Sequence, residues 1–296
     1  VTETAPPFGA RLRRAMDDRG PLCVGIDPHP ALLAEWGLGD DVAGLERFSH
    51  TVVEALADRV AVLKPQSAFF ERFGSRGVAV LERVVADARA AGALVLTDAK
   101  RGDIGSTMAA YAETYLAERS PLFSDAVTLS PYLGFEALRP ALDAARASGS
   151  GVFVLALTSN PEGPEVQRAT GAGGASLAQV MLDHIARENA GAAPLGSVGA
   201  VVGATLKDPG VSLVVGGPLL APGIGAQGAT PADLPRVFGE SVNNVLPSVS
   251  RGVLRNGPSP SGLRTAVSRL VDEVREAVAG QRAGADPNRP TEDRAG

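Results

Sequence analysis

The sequence predicts a single-domain α/β protein, a (β/α)8 TIM barrel, and three observations carry that expectation. Short apolar runs recur eight times along the chain, amphipathic segments separate most of them, and the runs are apolar throughout rather than alternating. Strands buried on both faces read this way, because helices cover the outside of a parallel sheet. A length of 296 residues, 45% hydrophobic and 21% charged, supplies a core of the required size.

The expected strands are residues 22–26, 60–63, 94–97, 126–129, 152–157, 198–202, 219–221 and 244–247. Asn243, Asn244 and Pro247 make the eighth the weakest of the set. Helical periodicity is found at 44–57, 78–91, 107–118, 135–147 and 177–189, with 259–279 as a closing helix. The sixth crossover, 206–217, holds Pro209 and three glycines, so a short or broken helix is expected there. Residues 1–280 therefore form the barrel domain, and the polar, Pro-containing stretch 281–296 reads as a disordered tail.

Bulk properties exclude several function classes. A net charge of −5 with scattered basic residues lacks the broad positive field of a nucleic-acid binder. Cys23 is the only cysteine, which rules out an intramolecular disulfide and a Cys-based zinc cluster. His29, His50 and His184 show no metal-ligand spacing. Residues 1–9 lack the apolar core of a signal peptide, and no run approaches the ~18 apolar residues of a membrane span. A soluble, cytoplasmic protein without membrane or nucleic-acid partners is expected.

In this fold the chemistry lies at the C-terminal ends of the strands. The first strand ends at Asp27, the second at Lys64, and the third at Asp98-Ala99-Lys100. Strand alternation puts Asp98 and Lys100 on one side, so the two acids and two lysines can interleave in sign across the mouth. A structural salt-bridge network explains any one Asp–Lys pair about as well. It explains four such residues on one rim less well.

The loop after Pro222 contains Gly223, Gly225 and Gly228, which allow backbone N–H groups to approach an anion, and Gln227, which adds an amide. Glycines alone are a weak signal. Ser250 and Arg251 at the next strand end add a fixed positive charge where this fold usually binds phosphate. Cys23 reads as a buried small hydrophobe, Trp36 as packing, and His29 as either a mouth residue or a solvated one.

The pattern D-x-K-x-x-D alone would arise in about one average chain in twenty of this length. The extended run L-T-D-A-K-R-G-D-I-G-S-T from Leu96 to Thr107 is far more specific. So is the ordered set G-I-D-P, L-K-P-Q, T-S-N-P, P-G-I-G-A-Q-G and S-R around it. Over about residues 21–255 the chain resembles the orotidine 5′-phosphate decarboxylase family. Its length and its K-P-Q and S-P-Y-L-G segments resemble the longer bacterial, type 2 subgroup.

The resemblance implies decarboxylation of orotidine 5′-phosphate to uridine 5′-phosphate in pyrimidine biosynthesis, without cofactor or metal. Lys100 matches the lysine that protonates C6, and Asp98 the carboxylate beside the substrate's own. Lys64 and Asp27 match the pair that binds ribose and holds the array in register. Family members are homodimers with shared sites, which assigns Asp103 and Thr107 to the partner's site. Ser159 matches the pyrimidine-recognising serine, and Pro222, Gly223, Gln227, Ser250 and Arg251 fall on the phosphate side.

Loss of carbon dioxide from C6 leaves an in-plane carbanion that the ring cannot delocalise. With no fingerprint for an electron-sink cofactor, preorganised charge at Lys100 must stabilise it. Repulsion between carboxylates about 4 Å apart gives ~4 kcal/mol at an effective dielectric of 20, against the ~20 kcal/mol a very slow reaction requires. Remote phosphate binding and closure of the loop near Pro222 should supply much of the rest. The rival readings are a magnesium-dependent sugar-phosphate decarboxylase or aldolase, which carries an acid where Lys64 stands, and a non-catalytic phosphate-binding barrel. The latter has no need of Asp98, Lys100 and Asp103 together.

Overall fold

The computed structural model describes residues 6–284. Eight parallel strands close a barrel in sequence order. They are β1 Cys23–Ile26, β2 Val62–Pro65, β3 Leu94–Arg101, β4 Ala126–Leu129, β5 Gly151–Leu157, β6 Val198–Val202, β7 Leu219–Pro222 and β8 Val245–Val249. Pairing of Cys23 with Ser248 and Val24 with Val249 closes the ring. Each expected run thus forms a strand. Several boundaries moved by one or two residues, β2 from 60–63 to Val62–Pro65 among them; β3 runs on by four to Arg101, and β8 starts after Asn244, which ends a 3-10 turn over Gly239–Asn244.

Helices separate most of the strands. Val42–Leu56 begins where the Asp41 carboxylate accepts the Gly44 N–H at 2.8 Å, an ordinary N-cap. The segment expected to be one helix at 135–147 splits into a 3-10 turn, Phe135–Leu138, and a helix, Arg139–Ser148. Pro140 sits in the first turn of the second piece, where a missing N–H does no harm. The sixth crossover forms no helix at all between β6 and β7, which corrects the expectation of a short one. Pro209 interrupts it, and Gly210 and Gly216 both take a φ of 63° that helices do not use. The closing helix spans Pro260–Gly284, so it enters the stretch expected to be a tail. The remainder of that stretch, 285–296, lies outside the described residues.

A helix that the sequence reading omitted, Phe8–Arg19, covers the base of the barrel. Its apolar residues Phe8, Leu12 and Met16 recur every four positions and are all buried among inward-facing strand residues. The Phe8 ring meets Phe153 of β5 edge-on, with centroids 6.0 Å apart. Gly9 sits so close to the chain at Leu195 that a Cβ would lie 2.1 Å from its carbonyl oxygen. Nearby, the buried Asp125 carboxylate pairs with Arg11 and Arg89 and accepts the Val95 N–H at 2.9 Å. This joins the helices Phe8–Arg19 and Gly74–Ala90 to the sheet. Among the described residues no helix is long and apolar enough to cross a membrane.

Candidate active site

The other end of the barrel opens into a cavity of about 330 Å³, within the size range of small-ligand sites. On one side stand Asp27, Lys64, Asp98 and Lys100, and on the other Gly223, Gln227 and Arg251. Register explains the first group. Gly25 pairs with Lys64, and Gln66, just past β2, bridges to Asp98. The charged groups of neighbouring strands therefore reach the same depth.

Asp98 is the hub. Its Oδ2 accepts from Lys64 Nζ at 3.0 Å, and its Oδ1 accepts from Lys100 Nζ at 2.7 Å and from the Thr128 hydroxyl at 2.8 Å. Burial alone would push its carboxyl up, but Lys64, Lys100 and the hydrogen bonds from Lys100 and Thr128 outweigh it and hold it well below the carboxylate range. For Lys64, burial pulls down, while Asp98 and Asp27 pull up more strongly, so its pKa is raised. Asp98 is 7% and Lys64 6% exposed, so this charge pair is poorly screened. Beneath them burial pushes the Cys23 thiol up to about 12, which keeps it an uncharged core residue.

Asp98 and Lys100 do meet, although not through simple strand alternation. Lys100 has a φ of 48°, and the pairing of β3 with β4 shifts between Thr97 and Arg101. A bulge, rather than the regular pleat, brings the ammonium back to the carboxylate. The next residue braces that bulge: Arg101 donates to the Ala99 carbonyl at 3.1 Å and pairs with Glu71.

Two buried polar atoms in this mouth lack a protein partner, Asp27 Oδ1 and Ser250 Oγ. Buried polar atoms without a partner are uncommon in native proteins and are expected where a ligand is to be bound. Both line the cavity. Together they form an acceptor and a hydroxyl facing the space between the charged array and Arg251.

The loop 222–229 folds on itself. The Gly225 N–H donates to Ala229 O at 2.8 Å, and the Gly228 N–H to Gly225 O at 2.9 Å. Gly223, Gly225 and Gly228 take φ values of 115°, 80° and 98°, which is why glycines are needed. This alters the expected role of Gly225 and Gly228: they shape the turn instead of lining the cavity. Pro222, Gly223 and Gln227 do line it, as do Ser250 and Arg251.

Three expected site residues lie elsewhere. Asp103 accepts the Ile104 N–H at 2.8 Å, Thr107 is exposed on the helix Gly105–Leu116, and neither lines this cavity. Ser159 is exposed, and its neighbour Thr158 faces the cavity in its place. Sequence reasoning passed over Thr128 and Phe69, gave Gln66 no role beyond the L-K-P-Q run, and left His29 undecided. All four line the cavity, with His29 edge-on to Phe69 at 4.3 Å. Thr128 carried a usable signal, a lone hydroxyl in an otherwise apolar strand, Ala126–Leu129.

Comparison with known proteins agrees with this geometry. The model of the "Orotidine 5'-phosphate decarboxylase / HUMPS family" matches residues 20–265. An orotidine 5′-phosphate decarboxylase of Streptomyces coelicolor is 73% identical, covering 92% of this chain and 98% of its own length. A crystal structure from Streptomyces avermitilis, provisionally assigned to the same enzyme, superposes with a TM-score of 0.92 at 71% identity, over 94% and 98% of the two chains. The orotidine 5′-monophosphate decarboxylase of Leishmania donovani superposes with a TM-score of 0.72 at 30% identity, over 92% and 98%.

Proposed function

The chain belongs to the orotidine 5′-phosphate decarboxylase / HUMPS family, and we propose that its site works as follows on orotidine 5′-phosphate, which it converts to uridine 5′-phosphate. The observation that carries this reading is the buried chain Lys64–Asp98–Lys100, with Asp27 Oδ1 left without a partner beside it.

Gln227 and Arg251 hold the phosphate, and Asp27 accepts from the ribose hydroxyls, which gives its oxygen the partner it lacks. The substrate carboxylate then lies against Asp98, with C6 beside Lys100. The C6–carboxylate bond breaks, its electron pair stays on C6, and carbon dioxide departs. Lys100 stabilises the pair as an ammonium and transfers its proton to C6, recovering one later from solvent. Asp98 keeps Lys100 oriented, and Lys64 keeps Asp98 ionised. The pyrimidine contact first assigned to Ser159 is better placed at Thr158, which faces the cavity.

The sugar-phosphate enzymes of the same superfamily need a metal-binding acid at the end of β2, where this chain has Lys64 paired to Asp98. Loss of orotidine 5′-phosphate absorbance, followed with and without EDTA, separates the two readings. Turnover unaffected by EDTA is expected. Activity lost with EDTA and restored by magnesium would reject it.

The same reading makes the protein a cytoplasmic homodimer in which Asp103 and Thr107 complete the partner's site. Supporting this, Ile104, Tyr132 and Leu133 are 61%, 77% and 53% exposed on the rim near Asp103, an apolar surface that a second copy would cover. The Ser130 N–H donates to the Arg101 carbonyl at 2.7 Å, which sets these two loops side by side. Mixing inactive Asp103→Ala with inactive Lys100→Ala subunits should restore up to about a quarter of the wild-type activity per chain, since one hybrid site regains both groups. No recovery in verified heterodimers refutes the shared site.

A further inference from the structure

The ladder between β3 and β4 breaks at the catalytic segment. Leu96 and Thr97 pair with Ala126 and Val127, and the next pair is Arg101 with Leu129. Three residues of β3, Asp98, Ala99 and Lys100, therefore stand opposite the single residue Thr128. Within that bulge Lys100 has a φ of 48°, the only positive φ of a non-glycine among the described residues. A left-handed backbone is unfavourable for an L-residue and persists where its surroundings hold it.

Thr128 provides that hold. Its Oγ1 accepts the Lys100 backbone N–H at 3.0 Å and donates to Asp98 Oδ1 at 2.8 Å. A hydroxyl has one proton and the ionised carboxylate has none, so the direction of both bonds is fixed. The residue is 1% exposed, which leaves no room for an alternative arrangement with solvent. One buried oxygen thus fixes the lysine's backbone and its carboxylate partner together.

We propose that Thr128 is a positioning residue of the decarboxylation: its hydroxyl maintains the bulge that aims the Lys100 ammonium at the reacting carbon. The inference rests on the decarboxylase reading above. Thr128 does not contact Gln227 or Arg251 across the cavity, and Lys64 holds the other oxygen of Asp98 on its own. Losing the hydroxyl should therefore affect proton delivery far more than nucleotide binding.

Thr128→Val keeps the shape and removes both bonds, while Thr128→Ser keeps both. For Thr128→Val, kcat should fall about 10- to 100-fold with KM within about threefold, and Thr128→Ser should stay within about threefold in kcat. Exchange of the C6 hydrogen of uridine 5′-phosphate for deuterium, followed by NMR, should slow in parallel in Thr128→Val. That readout sees the proton transfer without the carboxylate. Wild type without decarboxylase activity would mean that the underlying reading fails, whatever Thr128 does. With an active wild type, a Thr128→Val kcat within twofold would overturn the proposal, as would Thr128→Ser being equally impaired. Thr128→Ala serves if the valine variant does not fold. Loss of fold in both, with serine folded and active, would also overturn it, since the hydroxyl would then be holding the barrel rather than the lysine.

Discussion

Two buried carboxylates, Asp98 and Asp125, stand at opposite ends of the same barrel with nearly the same surroundings. Each is almost fully buried, each pairs with two cations, and each accepts one further hydrogen bond. Their partners differ. Asp125 is held by Arg11 and Arg89 and by the backbone N–H of Val95. Asp98 is held by Lys64 and Lys100 and by a side-chain hydroxyl. Arginine is a permanent cation that fixes geometry, whereas lysine can give up a proton. The same electrostatic pattern is thus a clamp at the base and, on the reading proposed above, chemistry at the mouth, in keeping with the division of labour in this fold.

The widest gap between the two ends should appear in Lys100→Ala and Asp125→Asn. Lys100→Ala should lower kcat by on the order of 10⁴-fold or more while uridine 5′-phosphate still binds within a few-fold of wild type. Asp125→Asn should leave kcat within about twofold but destabilise the fold by about 2 kcal/mol, or roughly 5 °C in Tm. Steady-state kinetics, product titration and thermal melts check both. Turnover near wild type in Lys100→Ala, or catalytic loss in a folded Asp125→Asn, would collapse the distinction.

A smaller effect concerns pH. The Asp98 carboxyl is depressed, so the stability linked to its charge is present above the ordinary carboxylate value, ~4, and is lost as pH falls through the lower folded value. Lys64 is raised, so its contribution is complete below the ordinary lysine value, ~10.4, and is lost as pH rises through the higher folded one. The Tm difference between wild type and Asp98→Asn should accordingly stay level from about pH 5 to 9 and narrow below about pH 4. A difference that changed near neutrality would show that the pair is not buried as a unit.

The sequence made the mouth more legible than the base. Asp27, Lys64, Asp98 and Lys100 could be read because polar residues at the ends of apolar strands have few structural reasons to be there. Gln227 and Arg251 followed from the position of their loops. Asp125 was missed because an acid before a strand resembles any solvated loop acid until Arg11 and Arg89 are brought to it. The helix Phe8–Arg19 was missed because its six charged residues outweigh three large apolar ones in a composition reading, although those three share a face. Thr128 and the bulge at Lys100 are properties of two strands together, and a one-dimensional pattern holds no register. Ser159 and Thr158 follow the end of β5, and only Thr158 lines the cavity, a distinction that a loop sequence without strand alternation does not carry.

The plug at the base also governs traffic. Phe8, Leu12 and Met16 seal the floor, and Cys23, Val62, Leu96, Phe153 and Leu246 fill the bore above them. Newly formed carbon dioxide therefore has no back door. On the reading proposed above, it leaves by the opening through which the nucleotide enters. Until it does, the gas remains a neighbour of the carbon it has just left, and the reaction can run backwards. The protonation proposed for Lys100 would make the departure final.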